Sequence, residues 1–224
     1  MPTLEPMSRF FESRLDGYDE HMLTTIEGAP AFYSMTAAQL PLSHQTRLLD
    51  LGCGTGLELQ AYFSRRDSEL PDAYPQITGV DLSRGMLDAL QKKLPNERLT
   101  LLQGSYFDLP LGECCFDAAV SVESLHHFTA AQKCPLYQKL CRSLKASGYF
   151  ILTDYFAPND AYETHCYQEL LRLKREQGIR DSACYHYDTP LTVAHEIDAL
   201  RSGGFASVTL LGQWGETCLL RADK

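Results

Sequence analysis

The clearest chemistry in the sequence lies in a glycine-rich segment at residues 50–56, which reads DLGCGTG. It follows a short apolar run and precedes an amphipathic stretch, which is typical of a turn that joins a strand to a helix. Glycines permit a tight turn and let a ligand approach the backbone where a side chain would clash. The amides at a helix N-terminus then face that ligand. We therefore expect a ligand-binding turn, with a tight turn that binds nothing as the alternative.

A second acidic residue ends the next apolar run. Asp81 closes the segment 76–81 (QITGVD), 25 positions after Gly56. A carboxylate at that place can accept hydrogen bonds from the vicinal hydroxyls of a ribose. A dinucleotide is the obvious alternative, but its fingerprint needs Gly or Ala where Leu57 stands, and the charge of Asp50 disfavours a nearby pyrophosphate. The pattern favours a cofactor with a nucleoside, an amino group and a positive centre.

Histidines and carboxylates follow two later apolar runs. His126 and His127 come shortly after residues 116–122, and Asp154 follows residues 149–153. Adjacent side chains on a helical turn diverge, so we expect one histidine to pack inward and the other to face a ligand. His126 is a candidate general base because the imidazole pKa lies near neutrality. Asp154 is a candidate for orienting an amine or hydroxyl, with structural roles for both residues as the alternative.

The elements that would position these residues alternate between strand and helix. Such alternation predicts a parallel sheet covered by helices on both faces, and ligands of such sheets bind beyond the carboxyl ends of the strands. A helix at 192–202 is followed by two apolar runs that lie too close together for a helical crossover, so they predict an antiparallel pair. The predicted strands are 46–51, 76–81, 99–103, 116–122, 149–153, 206–211 and 216–221.

Two further segments flank the predicted sheet. Residues 1–45 read as helical, and Tyr18 begins a helix whose apolar side chains would close over the ligand pocket as a lid or simply pack into the core. That stripe consists of Met22, Leu23 and Ile26. After Asp154, residues 157–190 contain a predicted helix at 162–177 and the aromatic loop 185–187 (YHY). Aromatic side chains there suit a flat or apolar ligand, or serve only in packing.

Composition narrows the possible partners. The 224 residues carry 20 Lys and Arg against 29 Asp and Glu, a formal charge of −9, which disfavours nucleic acid as a partner. No apolar run approaches the roughly 20 residues that span a bilayer. The eight cysteines show no C-x-x-C spacing, which favours small buried thiols over a zinc site. The start of the chain lacks a signal-peptide pattern, so we expect a cytoplasmic protein.

Taken in order, four motifs of this sequence resemble those of the class I S-adenosylmethionine-dependent methyltransferases: LLDLGCGTG, GVDLS, FDAAVSVESLHHF and LKASGYFILTD. The resemblance covers roughly residues 46–156. It implies an α/β, Rossmann-like, doubly wound sheet of seven strands, mostly parallel, with an antiparallel last strand. It further implies a single domain over 1–224, with a helical cap at 1–45, a cofactor-binding core at 46–156, an insertion over the acceptor site at 157–190 and a closing helix and strand pair at 191–224.

The resemblance also implies roles for individual residues. The glycine turn and Asp50 would hold the methionine part of S-adenosylmethionine, and Asp81 its ribose. Ser105 stands where the family often has an Asp that accepts from the adenine amine. The residues expected to bind the cofactor, or its product S-adenosylhomocysteine, are Tyr18, Asp50, Gly52, Gly54, Gly56, Asp81, Leu82, Met86, Ser105, Tyr106 and Ser121. His126 and Asp154 are the expected catalytic residues, and no metal is expected.

The resemblance implies methyl transfer to a small molecule by in-line displacement at the sulfonium. Two other functions stay open. One is a tRNA-uridine methyl or carboxymethyl transferase, which would need a basic surface and, for a carboxylated cofactor, an arginine such as Arg180 or Arg201. The other is a non-catalytic cofactor-binding module that regulates a partner. We expect a monomer or a homodimer and no membrane partner.

Overall fold

A seven-stranded sheet forms the centre of the computed structural model, which describes residues 3–180 and 183–224. Its strand order is β3-β2-β1-β4-β5-β7-β6, and β7 runs antiparallel to both β5 and β6 while the other pairs are parallel. This arrangement confirms the predicted fold class. The strands are β1 (Arg47–Leu51), β2 (Gln76–Asp81), β3 (Arg98–Gln103), β4 (Phe116–Val122), β5 (Leu144–Tyr155), β6 (Ser207–Trp214) and β7 (Thr217–Asp223).

Eight α-helices accompany the sheet in the described chain. Three precede β1 and form the cap, which is the name used below for residues 3–45. Residues 1–2 and 181–182, which belong to the predicted cap and insertion, lie outside the described residues. The helices are α1 (Met7–Glu12), α2 (Tyr18–Thr25), α3 (Ala29–Gln39), α4 (Leu57–Glu69), α5 (Arg84–Lys93), α6 (Ala130–Ser143), α7 (Asp160–Glu176) and α8 (Val193–Ser202). Within the described ranges, none is long and apolar enough to cross a bilayer.

The central strands are apolar on both faces because helices cover both sides of the sheet. Leu48 and Leu49 of β1 point to opposite faces, and each is fully buried in a different one of the two apolar clusters that sandwich the sheet. At the start of α5, the side chain of Ser83 caps the helix by accepting a hydrogen bond from the amide of Met86. Parallel pairing of β1 with β2 and β4, and of β4 with β5, places the carboxyl ends of these strands at one edge of the sheet.

Two local expectations were wrong. β5 begins at Leu144 rather than at residue 149, because Leu144 is extended and pairs with Phe116 directly after α6 ends. In α2 only Met22 of the predicted stripe is buried, because Leu23 faces solvent and Ile26 lies beyond the end of the helix. Helices α3 and α4 cover this face of the sheet, because their buried side chains belong to the same apolar cluster as those of the central strands.

Candidate active site

The glycine turn joins β1 to α4 at the carboxyl edge of the sheet. Gly52 has a φ of +75°, and a Cβ there would lie 2.0 Å from the hydroxyl of Ser124, so only glycine lets the turn approach the loop after β4. At Gly54 a Cβ would meet its nearest described atom, the carbonyl oxygen of Gly52, only at 4.0 Å. The turn is therefore packed against the protein at Gly52 and open to a ligand at Gly54.

Two carboxyl groups are buried beside this turn. Asp50 is fully buried in β1, and Glu58 in the first turn of α4 is 5% exposed. Within the described part of the chain, neither oxygen of Asp50 nor Oε1 of Glu58 has a hydrogen-bond partner. Burial raises the pKa of Asp50 well above its usual value, and the charge of Glu58 raises it further. A cationic group on a ligand would satisfy both carboxylates, since buried charges are otherwise paired.

Asp81 lies at the carboxyl end of β2, next to the same turn. Its Oδ2 accepts from the amide of Gly54 at 2.9 Å and its Oδ1 from the amide of Ser83 at 2.8 Å. Burial raises the pKa of Asp81, and these backbone hydrogen bonds oppose the shift. A carboxylate has about four acceptor positions, so two of them remain for the hydroxyl groups of a ligand.

The two histidines lie in a 3-10 turn after β4, residues Leu125–His127, and both are buried. Their ring centroids are 4.0 Å apart, so the expectation that they diverge was wrong. Both rings lie near Asp188, whose Oδ1 is 3.6 Å from Nε2 of His126 and 3.0 Å from Nδ1 of His127. One carboxylate is therefore close to a nitrogen of each ring.

Asp154 holds His126 from the other side. Its Oδ1 lies 2.6 Å from Nδ1 of His126 and also accepts from the amide of Tyr155, while its Oδ2 accepts from the amide of Leu125. Burial alone would lower the pKa of His126, but the carboxylates of Asp154, Asp188 and Glu123 together raise it to about 9. Asp154 is 1% exposed, so it orients the histidine rather than facing open space.

A cavity of about 600 Å³ opens in front of the histidines. Residues from the cap form one wall, and the loop before α8 supplies another. His186 of that loop stacks on Phe10 of α1 with ring centroids 3.4 Å apart. We call this space the cap cavity; its lining includes Phe10, Phe11, Tyr18, Glu123, His126 and Asp188.

Comparison with known proteins agrees with this geometry. A family model described as a methyltransferase domain matches residues 49–152. The chain is 33% identical over 157 residues to a ubiquinone/menaquinone biosynthesis C-methyltransferase of Syntrophotalea carbinolica, covering 66% of this chain and 62% of the relative. It is 32% identical over 122 residues to a fatty-acid O-methyltransferase of Mycolicibacterium smegmatis, covering 54% and 41%.

A solved structure shares the fold. The phosphoethanolamine N-methyltransferase 2 of Haemonchus contortus, in complex with S-adenosylmethionine, superposes with a TM-score of 0.65 at 16% identity, covering 92% of this chain and 44% of the other. In sequence and fold this chain is similar to the class I S-adenosylmethionine-dependent methyltransferases. The chain spans 51 to 62% of the length of three curated relatives. The remaining parts of those proteins lie outside the match.

The residues at the glycine turn fit the cofactor of this methyltransferase family. The ammonium group of S-adenosylmethionine would donate hydrogen bonds to the carboxylate oxygens of Asp50 and Glu58 that have no partner in the described chain. The ribose hydroxyls of the cofactor would donate to the free positions of Asp81, and Gly54 leaves room for the methionine part. Glu58 was missed from the sequence, although a charged residue at an inward-facing position of an amphipathic helix is a usable signal.

The adenine side fits less directly. Ser105, predicted to contact adenine, uses its Oγ to accept from the amide of Phe107. Tyr106 is buried, with its hydroxyl 3.2 Å from Oγ of Ser124, next to Gly52. Ser121 donates its Oγ to the carbonyl of Leu51 within the sheet. Their predicted cofactor contacts, like those of the partly buried Leu82 and the buried Met86, stay predictions.

The cap is tied to the cofactor-binding elements by carboxylates. Asp19 accepts from the hydroxyl of Thr55 in the glycine turn and forms an ion pair with Lys93 of α5, both at 2.5 Å. Glu12 accepts from the hydroxyl of Ser83 at 2.5 Å and from the amide of Gly85 at 3.2 Å. These contacts place Tyr18, between the two carboxylates in sequence, on the wall of the cap cavity.

We expect Asp50→Asn to change stability and cofactor affinity in opposite directions. A raised carboxyl pKa means that the native state is destabilised as the pH rises above the ordinary value of 3.8. Asparagine removes this cost and offers Glu58 a donor, so the free energy of unfolding near pH 7 should rise by about 1 kcal/mol. Affinity for S-adenosylhomocysteine should fall by about tenfold, the loss of one charge-assisted hydrogen bond.

Urea unfolding at pH 7 and pH 4 and isothermal titration calorimetry measure the two effects of Asp50→Asn. The stability gain should shrink at the lower pH, where Asp50 is largely protonated in the wild type. Asp88→Asn on the exposed surface of α5 is the matched control and should change neither quantity. A less stable Asp50→Asn protein with unchanged affinity contradicts the assignment of Asp50 to the ammonium group.

Proposed function

We propose that this protein transfers the methyl group of S-adenosylmethionine to a small-molecule acceptor held in the cap cavity. The observation that carries this proposal is the cavity itself, whose volume of about 600 Å³ suits one small ligand. Its wall includes His126, which lies in the loop that also packs on the glycine turn through Ser124. An acceptor there would lie next to the bound cofactor.

The proposed reaction needs alignment more than activation. The sulfonium supplies an activated methyl group, so the residues of this chain have to position the acceptor in line with it and exclude water. Positioning of this kind can contribute roughly 7–11 kcal/mol toward the barrier. The aromatic side chains of Phe10, Phe11 and Tyr18 would exclude water from the cavity, and His126 would lie on the acceptor side with its orientation fixed by Asp154.

The names of two relatives support small acceptors. One is named for methylating a carbon in quinone biosynthesis and the other for methylating fatty acids. The tRNA alternative finds less support, because the chain carries a formal charge of −9 and Arg180 and Arg201 are exposed, outside the described lining of the cap cavity. The non-catalytic alternative binds the cofactor equally well, and turnover distinguishes it.

The proposal is tested by measuring cofactor binding and turnover separately. Calorimetry with S-adenosylhomocysteine should show saturable binding to one site. Release of S-adenosylhomocysteine from S-adenosylmethionine should then depend on an added small acceptor, screened as amines, phenols, thiols and carboxylic acids and as a metabolite extract below 1 kDa in size. Binding without acceptor-dependent turnover would favour the regulatory module, and turnover only with tRNA would favour the nucleic-acid alternative.

We expect His126→Ala to slow turnover by at least about tenfold while affinity for S-adenosylhomocysteine stays within about twofold, since a side chain that acts on the acceptor contributes roughly 10²–10⁴ to the rate. His195→Ala is the matched control, because His195 also contacts a carboxylate, Glu163, but is exposed on α8. Steady-state rates and calorimetry on the two variants make the comparison. An unchanged rate in His126→Ala would remove His126 from the mechanism.

A further inference from the structure

Three metal-ligating atoms converge on the wall of the cap cavity. They come one each from His126, His127 and Asp188, and all lie within 4.8 Å of one another. Oδ1 of Asp188 is 3.6 Å from Nε2 of His126 and 3.0 Å from Nδ1 of His127. Ligands at about 2.0–2.1 Å from a tetrahedral zinc ion lie about 3.3 Å from each other, so these separations match those around a bound ion.

We propose that the cluster of His126, His127 and Asp188 binds a divalent transition-metal ion, of which Zn²⁺ is the best fit to the ligands. Two imidazoles and one carboxylate are a donor set that suits zinc and other late first-row ions rather than magnesium or calcium, which prefer oxygen ligands. The set leaves at least one coordination position for a further ligand. Catalytic zinc sites have this composition of three protein ligands and an open position.

The groups behind the cluster support a ligand role for His126. Asp154 binds its Nδ1 at 2.6 Å and is itself held by the amides of Leu125 and Tyr155. A histidine that ligates a metal commonly donates its other ring nitrogen to a carboxylate, which fixes the tautomer and aims the lone pair at the ion. Here the lone pair of Nε2 would point toward Asp188. The carboxylate, imidazole and metal position therefore lie in the expected order.

A backbone hydrogen bond fixes the two parts of the cluster relative to each other. The amide of Thr189 donates to the carbonyl of His126 at 2.8 Å, joining the loop before α8 to the 3-10 turn. His126 and His127 are buried, whereas the side chain of Asp188 is 50% exposed toward the cavity. The two ring nitrogens are buried, and the oxygen of Asp188 is the accessible ligand atom. The free coordination position would therefore face the cap cavity.

This inference rests on the proposed function and extends it to the acceptor. A metal ion at this place would take an acceptor that offers a lone pair, such as a hydroxyl or a thiol. Coordination would lower the pKa of that group, whose proton would leave to solvent. Its oxygen or sulfur would then form a bond to the methyl carbon while the bond from that carbon to the sulfonium breaks, which leaves S-adenosylhomocysteine.

The experiment is a cobalt titration of the whole protein after removal of metal with a chelator. Co²⁺ replaces zinc in such sites and absorbs visible light when bound, so binding is read without any activity. We expect saturation at one equivalent, displacement by Zn²⁺, and no charge-transfer band of a cobalt thiolate. That band would show binding to some of the eight cysteines instead.

Variants localise the site. Asp188→Asn and His127→Gln should each weaken cobalt binding at least about tenfold, and Asp154→Asn should weaken it by roughly 10–100-fold through His126. His195→Gln, from the exposed pair with Glu163, is the matched control and should bind cobalt like the wild type. Thermal unfolding checks that each variant is folded. If His127→Gln does not fold, the near-isosteric Asp188→Asn still tests the site.

Two results overturn the inference: no saturable cobalt spectrum in the wild type, or a spectrum that Asp188→Asn leaves unchanged. Binding of S-adenosylhomocysteine is measured on the same samples. Loss of that binding would count against the proposed function, whereas its presence without a cobalt site would count only against the metal. A cobalt site would also correct the sequence-based expectation of no metal, which rested on cysteine spacing along the chain.

Discussion

Replacing Asp81 by alanine is expected to weaken the binding of S-adenosylhomocysteine by more than about tenfold. The carboxylate has acceptor positions left after it binds the amides of Gly54 and Ser83, and the two ribose hydroxyls would donate to them. Hydrogen bonds to a charged acceptor are worth roughly 1.5–3 kcal/mol each, and 1.4 kcal/mol is a factor of ten in affinity. The affinity lost with two such hydrogen bonds therefore exceeds the affinity that any single neutral contact in the site contributes. Calorimetry measures it directly.

The alanine variant also removes two hydrogen bonds that hold the glycine turn, so a second variant is needed. Asp81→Asn keeps an acceptor for one of these amides and most of the volume, and it should also bind more weakly because it lacks the charge. Asp88→Ala, on the exposed face of α5, is the control and should bind normally. If Asp81→Ala is folded and binds with wild-type affinity, the ribose assignment is wrong.

The cofactor half of the site could be predicted from the sequence because its determinants are local. The glycine turn, Asp50 and Asp81 each lie at the end of an apolar run, and parallel pairing of β1 with β2 brings those ends together. The wall of the cap cavity could not be predicted in this way. Asp188 is 61 positions from His127, and only the folded chain shows that its carboxylate lies close to both histidine rings.

Burial of charged residues was a further feature without a sequence signal. Lys133 lies in α6, and a lysine on an amphipathic helix ordinarily belongs to its solvated face. The structure buries it instead, because Glu196 of α8 packs opposite. Helix α8 was itself predicted, but the pairing of α6 with α8 is a tertiary contact that periodicity does not encode.

We expect Lys133→Met to lower the free energy of unfolding by about 3–5 kcal/mol, the cost of leaving a buried charge without its partner. Nζ of Lys133 lies 2.5 Å from Oε2 of Glu196, and both side chains are 1% exposed. The hydroxyl of Tyr137 donates to the other oxygen of Glu196 and would be the one remaining partner seen in the described chain. Methionine keeps the length and apolar stem of lysine, so the loss reports the charge rather than a cavity.

Urea unfolding of matched variants tests this assignment. Lys145→Met breaks the ion pair with Asp117, whose side chains are 40% and 31% exposed, and should cost no more than about 1 kcal/mol because water screens the pair. Adding Glu196→Gln to Lys133→Met should recover most of the loss, since the buried charge is gone and glutamine still accepts from Tyr137. Equal losses in Lys133→Met and Lys145→Met, or no recovery in the double variant, would show that α6 and α8 are held together by their apolar contacts rather than by this ion pair.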